Sequence, residues 1–180
     1  MYFIFIYYII IYIIIWFYIN NNIQIKKYDG GRYEGQLIND KREGKGIYYY
    51  NNCDKYEGEF KNDKFEGKGI YYYNNGNRYE GDYKNSKREG KGIIYGNNGD
   101  IYEGDYIKGK REGKGIYNYN DGDRYEGDYK DDKRLGKGIY YYKNGDIYEG
   151  DFKNGLIEGK GIIIIKMEIE KWETILIENL

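Results

Sequence analysis

The chain has 180 residues, with Lys+Arg 29 against Asp+Glu 30 for a net charge of -1, 27 glycines, 27 tyrosines, one cysteine, and neither histidine nor proline. Without histidine there is no Ser-His-Asp or Cys-His catalysis and no imidazole metal site, and one cysteine makes neither an internal disulfide nor a zinc cage. The balanced charge argues against general nucleic-acid binding, which needs a surplus of Lys and Arg to displace counterions from phosphates.

Ile and Tyr supply most of the apolar set, while Ala, Val and Pro do not occur. The missing residues have GC-rich codons and the abundant Ile, Asn and Lys have AT-rich ones, so nucleotide bias accounts for much of that excess. Equal, large numbers of Tyr and Gly need a structural cause. Flexible linkers are rich in Gly but poor in aromatics, so the combination points to rings packed over glycines.

Residues 1–19 (MYFIFIYYIIIYIIIWFYI) carry no side-chain charge. As a helix they would span about 28 Å, close to the roughly 30 Å of a bilayer's hydrocarbon core, which predicts a transmembrane helix. No basic stretch precedes them and no small-residue cleavage site stands before Asn20, which argues against a cleaved signal peptide. Lys26, Lys27 and Arg32 come after the segment, so the positive-inside rule predicts a membrane-associated protein whose remaining residues face the cytoplasm. Two other readings stay open. The same composition arises when a gene model starts too early in AT-rich DNA, which would leave a cytoplasmic or cytoskeletal protein, and the segment could also form a buried strand pair capping a sheet.

Residues 20–32 read as a linker and partial repeat, with Tyr28 to Arg32 resembling the end of the later units. From Tyr33 the chain repeats. The tripeptide Y-E-G begins at Tyr33, Tyr56, Tyr79, Tyr102, Tyr125 and Tyr148, a period of about 23 residues held without insertion. G-K-G keeps the same phase, starting at Gly44, Gly67, Gly90, Gly113, Gly136 and Gly159. The array therefore divides into units 33–55, 56–78, 79–101, 102–124, 125–147 and 148–170, with a C-terminal cap at 171–180.

Within the unit 56–78, Tyr56 to Lys61 and Gly67 to Tyr73 read as strands. Asn62, Asp63 and Lys64 lie between them, and Asn74, Asn75 and Gly76 after them, where tight turns need positive φ. Each unit is thus predicted to be a β-hairpin leading into the next. Placing Glu59 opposite Lys68 sets Tyr56 against Tyr71, Gly58 against Gly69 and Phe60 against Gly67, so that one face stacks aromatics and glycines while the other pairs acid with base. About twelve strands give an all-β, elongated, single-layer antiparallel sheet on the order of 60 Å long. It would be stabilised by nearest-neighbour stacking and would need caps at its ends. In the tail, Ile165, Ile169, Trp172, Leu176 and Leu180 fall at helical spacing while Met167 to Glu170 alternates like a strand, so an amphipathic cap is expected in either form.

The unit resembles the MORN repeat (membrane occupation and recognition nexus), which reads much like Y-E-G-x-aromatic-x-N-G-K-x-x-G-x-G. The resemblance runs from residue 33 to about 165 and departs from the pattern locally. Leu37 stands for the aromatic and Cys53 for the turn glycine of the first unit, and Ile162 to Ile165 for Ile-Tyr-Tyr-Tyr in the last. It implies hairpins stacked into a long twisted sheet and a non-catalytic scaffolding role. MORN arrays occur in junctional membrane proteins, in ciliary and cytoskeletal assemblies, and as accessory regions of lipid kinases and methyltransferases.

Catalytic readings are weak. Glu34, Glu57, Glu80, Glu103, Glu126 and Glu149 form a carboxylate ladder, but they recur in every unit beside Lys45, Lys68, Lys91, Lys114, Lys137 or Lys160, whereas a catalytic pair would be unique. G-K-G lacks the spacing and the Ser/Thr of a phosphate loop, and Cys53 has no accompanying base. No cofactor is expected. Two binding surfaces are. Lys41, Arg42, Lys64, Lys87, Arg88, Lys110, Arg111, Lys133 and Arg134 are predicted to occupy the turns inside the hairpins and to line one edge that could meet anionic phospholipid headgroups, phosphoinositides included, although Glu43, Glu66, Glu89 and Glu112 dilute its field. Tyr49, Tyr72, Tyr95 and Tyr141 offer large contact area at low entropy cost, which favours them as a groove for another protein's helix or extended peptide.

Overall fold

The computed structural model describes residues 6–14, 23–167 and 172–177. Among the described residues fourteen strands form one open antiparallel sheet in strict sequence order. They are β1 (Gln24–Tyr28), β2 (Gly31–Ile38), β3 (Lys41–Tyr50), β4 (Lys55–Lys61), β5 (Lys64–Tyr72), β6 (Arg78–Lys84), β7 (Lys87–Tyr95), β8 (Ile101–Ile107), β9 (Lys110–Asn118), β10 (Arg124–Lys130), β11 (Lys133–Tyr141), β12 (Ile147–Lys153), β13 (Leu156–Lys166) and β14 (Trp172–Ile177). Thirteen steps of about 4.8 Å make the sheet about 62 Å long.

The additions to the expected twelve strands are the two ends. The segment expected as a linker and partial repeat contains β1, paired with β2 from Gln24–Gly35 to Tyr28–Gly31. The cap is β14, paired with β13 from Gly161–Ile177 to Lys166–Trp172, so the helical spacing of the tail is not realised there. An outer strand leaves a row of unsatisfied N–H and C=O groups, which another strand can pair and a helix cannot. Ile169 and Leu180 lie outside the described residues.

The expected membrane-spanning helix is also corrected. Residues 6–14 are helical, a length of about 14 Å at 1.5 Å per residue and less than half a hydrocarbon core. Among the described residues no helix is long and apolar enough to cross a membrane. The remainder of the predicted span, residues 1–5 and 15–19, lies outside the described residues.

Two-residue turns close the hairpins. Asn62 and Asp63 have φ of 48° and 67°, the paired positive values of a type I′ turn, whose twist matches that of the flanking strands. The register inside each hairpin differs from the one expected. β4 and β5 pair from Lys55–Tyr72 to Gly58–Gly69, with Tyr56 against Tyr71 and Gly58 against Gly69 as predicted, but then shift, so that Glu59 faces Glu66 and Phe60 faces Phe65. Gly67, at φ 64°, and Lys68 bulge out of this ladder and pair with the next hairpin, opposite Tyr83 and Asp82. The predicted Glu59–Lys68 and Phe60–Gly67 pairs are therefore replaced, because a left-handed glycine lets the chain insert a bulge at low cost.

The core is a single layer of rings on one face. Tyr33, Tyr56, Tyr79, Tyr102, Tyr125 and Tyr148 are at most 2% exposed. Each lies over a facing glycine pair; a Cβ built on Gly69 would sit 2.6 Å from Tyr56 Cε2. The Tyr56 hydroxyl donates to the Glu59 carbonyl at 3.0 Å, at the register shift, and Tyr33, Tyr79, Tyr125 and Tyr148 repeat that bond at 3.0–3.2 Å. Units lock together through edge-to-face contacts such as Tyr56–Tyr83 and Tyr79–Tyr106, both with centroids 5.2 Å apart. Burying each ring contributes about 2–3 kcal/mol, and the edge-to-face pair about 1 kcal/mol more.

Candidate interaction surface

Because side chains alternate, the residues between the buried tyrosines point to the other face, where the register aligns them in three parallel rows. The row nearest the turns between units runs Arg32, Tyr49, Lys55, Tyr72, Arg78, Tyr95, each opposite the next across neighbouring strands β2 to β7. Cations sit over the rings: Arg32 lies 4.7 Å from the Tyr49 centroid, Lys55 4.1 Å from Tyr72 and Arg78 4.3 Å from Tyr95. Glutamates hold those cations from the middle row, with Arg32–Glu34 at 2.9 Å, Lys55–Glu57 at 3.1 Å and Arg78–Glu80 at 2.9 Å. The ladder is interrupted at β8 and β9, where Ile101 faces Asn118, and resumes with Arg124 over Tyr141 at 5.3 Å.

All four predicted tyrosines thus fall in one row, half-buried and away from the core. Sequence reasoning missed the cations that hold them. The available signal was position, since Arg32, Lys55, Arg78 and Arg124 each stand immediately before Y-E-G.

The middle row alternates glutamate with isoleucine, as in Ile47, Glu57, Ile70, Glu80 and Ile93. The third pairs four of the G-K-G lysines with the next unit's acid: Lys68–Asp82 and Lys91–Asp105 at 2.7 Å, Lys114–Asp128 and Lys137–Asp151 at 2.8 Å. The Lys137 ammonium holds the Asp151 carboxyl below the usual carboxylate range. Over the glycine row lie two shallow grooves of about 610 and 620 Å³, one from Lys114 to Ile162 and the other from Ile23 to Gly81.

The nine basic residues expected inside the turns are instead the first residues of the strands after them. Lysines and arginines at this edge differ in what they do. The arginines fold inward onto core rings, Arg88 lying 5.5 Å from the Tyr79 centroid, Arg111 5.2 Å from Tyr102 and Arg134 5.2 Å from Tyr125. They also donate to the next hairpin turn: Arg42 to the Asp63 carbonyl at 2.8 Å, Arg88 to Gly109 at 2.7 Å, Arg111 to Asp132 at 2.8 Å and Arg134 to Gly155 at 2.5 Å. Lys41, Lys64, Lys87, Lys110 and Lys133 are exposed, with Lys110 bonded to Asp131 at 2.5 Å and Lys64 to Asn85 at 3.2 Å.

Among the described residues, no group of three or more His, Cys, Asp or Glu side chains could hold a metal ion. Cys53 is exposed in a turn at φ 70°.

A search of curated proteins returns no match. The family model for the MORN repeat matches residues 33–52, 56–78, 79–101, 102–124, 125–147 and 148–165, the segments that the paired Y-E-G and G-K-G landmarks and the stacked hairpins delimit. The chain belongs to the MORN repeat family.

Proposed function

We propose that the protein is a non-catalytic scaffold that holds a segment of another protein against the tyrosine–cation row. The observation that carries this reading is the placement of Tyr49, Tyr72 and Tyr95 in line on the face the core does not use, each with a cation over its ring. Rings already fixed in place lose little entropy on binding, and aromatic anchors supply most of the energy of a typical interface. Attachment to anionic phospholipid through the hairpin-turn edge is the competing reading. The engagement of Arg42, Arg88, Arg111 and Arg134 inside the sheet weighs against it, leaving lysines interspersed with acids.

Two variants separate the readings. Tyr49, Tyr72 and Tyr95→Ser removes the rings; Lys64, Lys87 and Lys110→Glu reverses the exposed edge charge and leaves the structural arginines alone. The scaffold reading expects the first to lose the proteins that co-purify with the native chain and the second to keep them. Retention by the first together with loss by the second, accompanied by loss of binding to phosphoinositide-containing liposomes, would favour the lipid reading.

A further inference from the structure

We infer that the row from Arg32 to Tyr95 is a ledge for an acidic, proline-rich peptide in the polyproline II conformation with proline at every third residue; the inference rests on the scaffold reading above and names its partner's chemistry. Successive tyrosines of the row are two strands apart, about 9.6 Å. A polyproline II helix rises 3.1 Å per residue with three residues per turn, so every third side chain returns to the same side after about 9.3 Å. From Tyr49 to Tyr95 the accumulated mismatch is only about 0.6 Å. An α-helix returns to one face after seven residues, about 10.5 Å, and drifts by about 1.8 Å over the same two intervals. An extended strand covers about 10 Å in three residues, but its third side chain points to the opposite face.

Charge and hydrogen bonding agree with the spacing. Lys27 faces Arg32 across β1 and β2, so the row carries Lys27, Arg32, Lys55 and Arg78; the last three are paired with Glu34, Glu57 and Glu80 of the middle row, which leaves Lys27 as the uncompensated charge. Lys27 is exposed and has no ion pair among the described residues. The cations alternate with the rings, so an acidic side chain at the β1 end would meet Lys27, and those between the prolines would share Lys55 and Arg78 with Glu57 and Glu80. Polyproline II makes no internal hydrogen bonds and its carbonyls need donors. Among the described residues no hydrogen bond occupies the hydroxyls of Tyr49, Tyr72 and Tyr95. Both sides are preformed, which keeps the ordering cost of docking low. Ile101 and Asn118 end the ledge, so Tyr141 lies outside it.

The test uses the full chain and fluorescent peptides of four Pro-Pro-Glu triplets, with Pro-Pro-Lys and Gly-Ser-Glu triplets as controls, read by anisotropy. The Pro-Pro-Glu peptide is expected to bind, each control to bind at least about tenfold more weakly, and added salt to weaken binding. Tyr72→Ser should weaken it about tenfold, with circular dichroism confirming the sheet, and Tyr141→Ser should leave it unchanged. Absence of Pro-Pro-Glu binding, equal binding of the Gly-Ser-Glu peptide, or equal losses from the two tyrosine variants would overturn the inference. A photo-cross-linking side chain at position 72, compared with one at exposed position 84, separates this from the broader reading. Trapping of a protein from native cells at 72 alone, without peptide binding, removes the proline-rich ligand and leaves the scaffold; trapping at neither removes both.

Discussion

Phe65 lies flat against Tyr56, with ring centroids 3.6 Å apart and planes 9° from parallel. In the third, fourth and fifth units the corresponding position is an arginine over the corresponding tyrosine: Arg88 on Tyr79, Arg111 on Tyr102 and Arg134 on Tyr125. The residue 21 positions later varies as well: Arg42 and Arg111 have Asp63 and Asp132 there, bonded at 3.1 and 3.3 Å, Arg88 and Arg134 have Gly109 and Gly155, and Phe65 has Ser86, whose hydroxyl accepts from the Phe65 amide at 3.0 Å. Phe65→Ala is expected to cost about 3–4 kcal/mol by opening a cavity. Phe65→Arg should cost under about 1.5 kcal/mol, since a guanidinium fits this site elsewhere in the array. Adding Ser86→Asp should recover part of that loss, with a coupling of about 0.5–2 kcal/mol in a double-mutant cycle by chemical denaturation. Additive effects would show that residue 86 does not recognise residue 65.

Gly92 and Lys91 are neighbours in β7 with opposite duties. A Cβ on Gly92 would lie 2.5 Å from Tyr79 Cε2, so Gly92→Val must displace a ring that is fully buried and should cost at least about 2 kcal/mol. The Lys91 side chain is 73% exposed, and its ion pair with Asp105 at 2.7 Å should contribute about 0–1 kcal/mol, so Lys91→Gln is expected to be mild. Equal denaturation midpoints for the two variants would contradict the assignment of these residues to the ring face and the outer face.

The hairpins and the glycine-over-ring core were legible because Y-E-G and G-K-G hold one phase through every unit. The pairing of Lys68 was not. In a strict repeat, Glu59 and Asp82 recur at the same interval, so either acid suits Lys68, and only the left-handed conformation of Gly67 sends the lysine toward Asp82. G-K-G reads equally well as plain strand when the first glycine is taken as a ring seat. The edge arginines misled for a different reason: a basic residue beside a turn is ordinarily solvated, and the rings that attract Arg88 come from strands β6 and β8 on either side of its own. The apolar N-terminal residues matched a bilayer in length, yet the described helix covers only 6–14.

Glu43, Glu66, Glu89 and Glu112 each accept from the first amide of the next hairpin turn: Asn62, Asn85, Lys108 and Asp131 at 2.8–3.0 Å. The fifth unit has Leu135 in that position, 38% exposed. Leu135→Glu should therefore supply the missing acceptor to the Asn154 amide and stabilise the array by about 0.5–1.5 kcal/mol. A raised midpoint in urea denaturation is the expected reading, and a lowered one would mean that the apolar side chain contributes more through packing than a carboxylate would through its bond.

The buried rings also make stability fall in alkali. Burial pushes the hydroxyls of Tyr33 and Tyr125 up to about 12 from an ordinary 10.0, although Arg42 and Arg134 pull the other way. Burial raises Tyr106 likewise to about 12, against the pull of Arg88 and Arg111. The folded chain thus keeps these protons where the unfolded chain has lost them. Stability is fully present below about pH 10 and declines as pH rises toward 12, because the unfolded state binds fewer protons over that interval. Several rings titrate together, so the loss should be cooperative. Tyrosinate absorbance of the core set and circular dichroism of the sheet are expected to change in one step, and sub-denaturing urea should move that step to lower pH. Ionisation of Tyr33, followed by NMR, at pH 10 in a sheet that stays intact would contradict the burial of its hydroxyl.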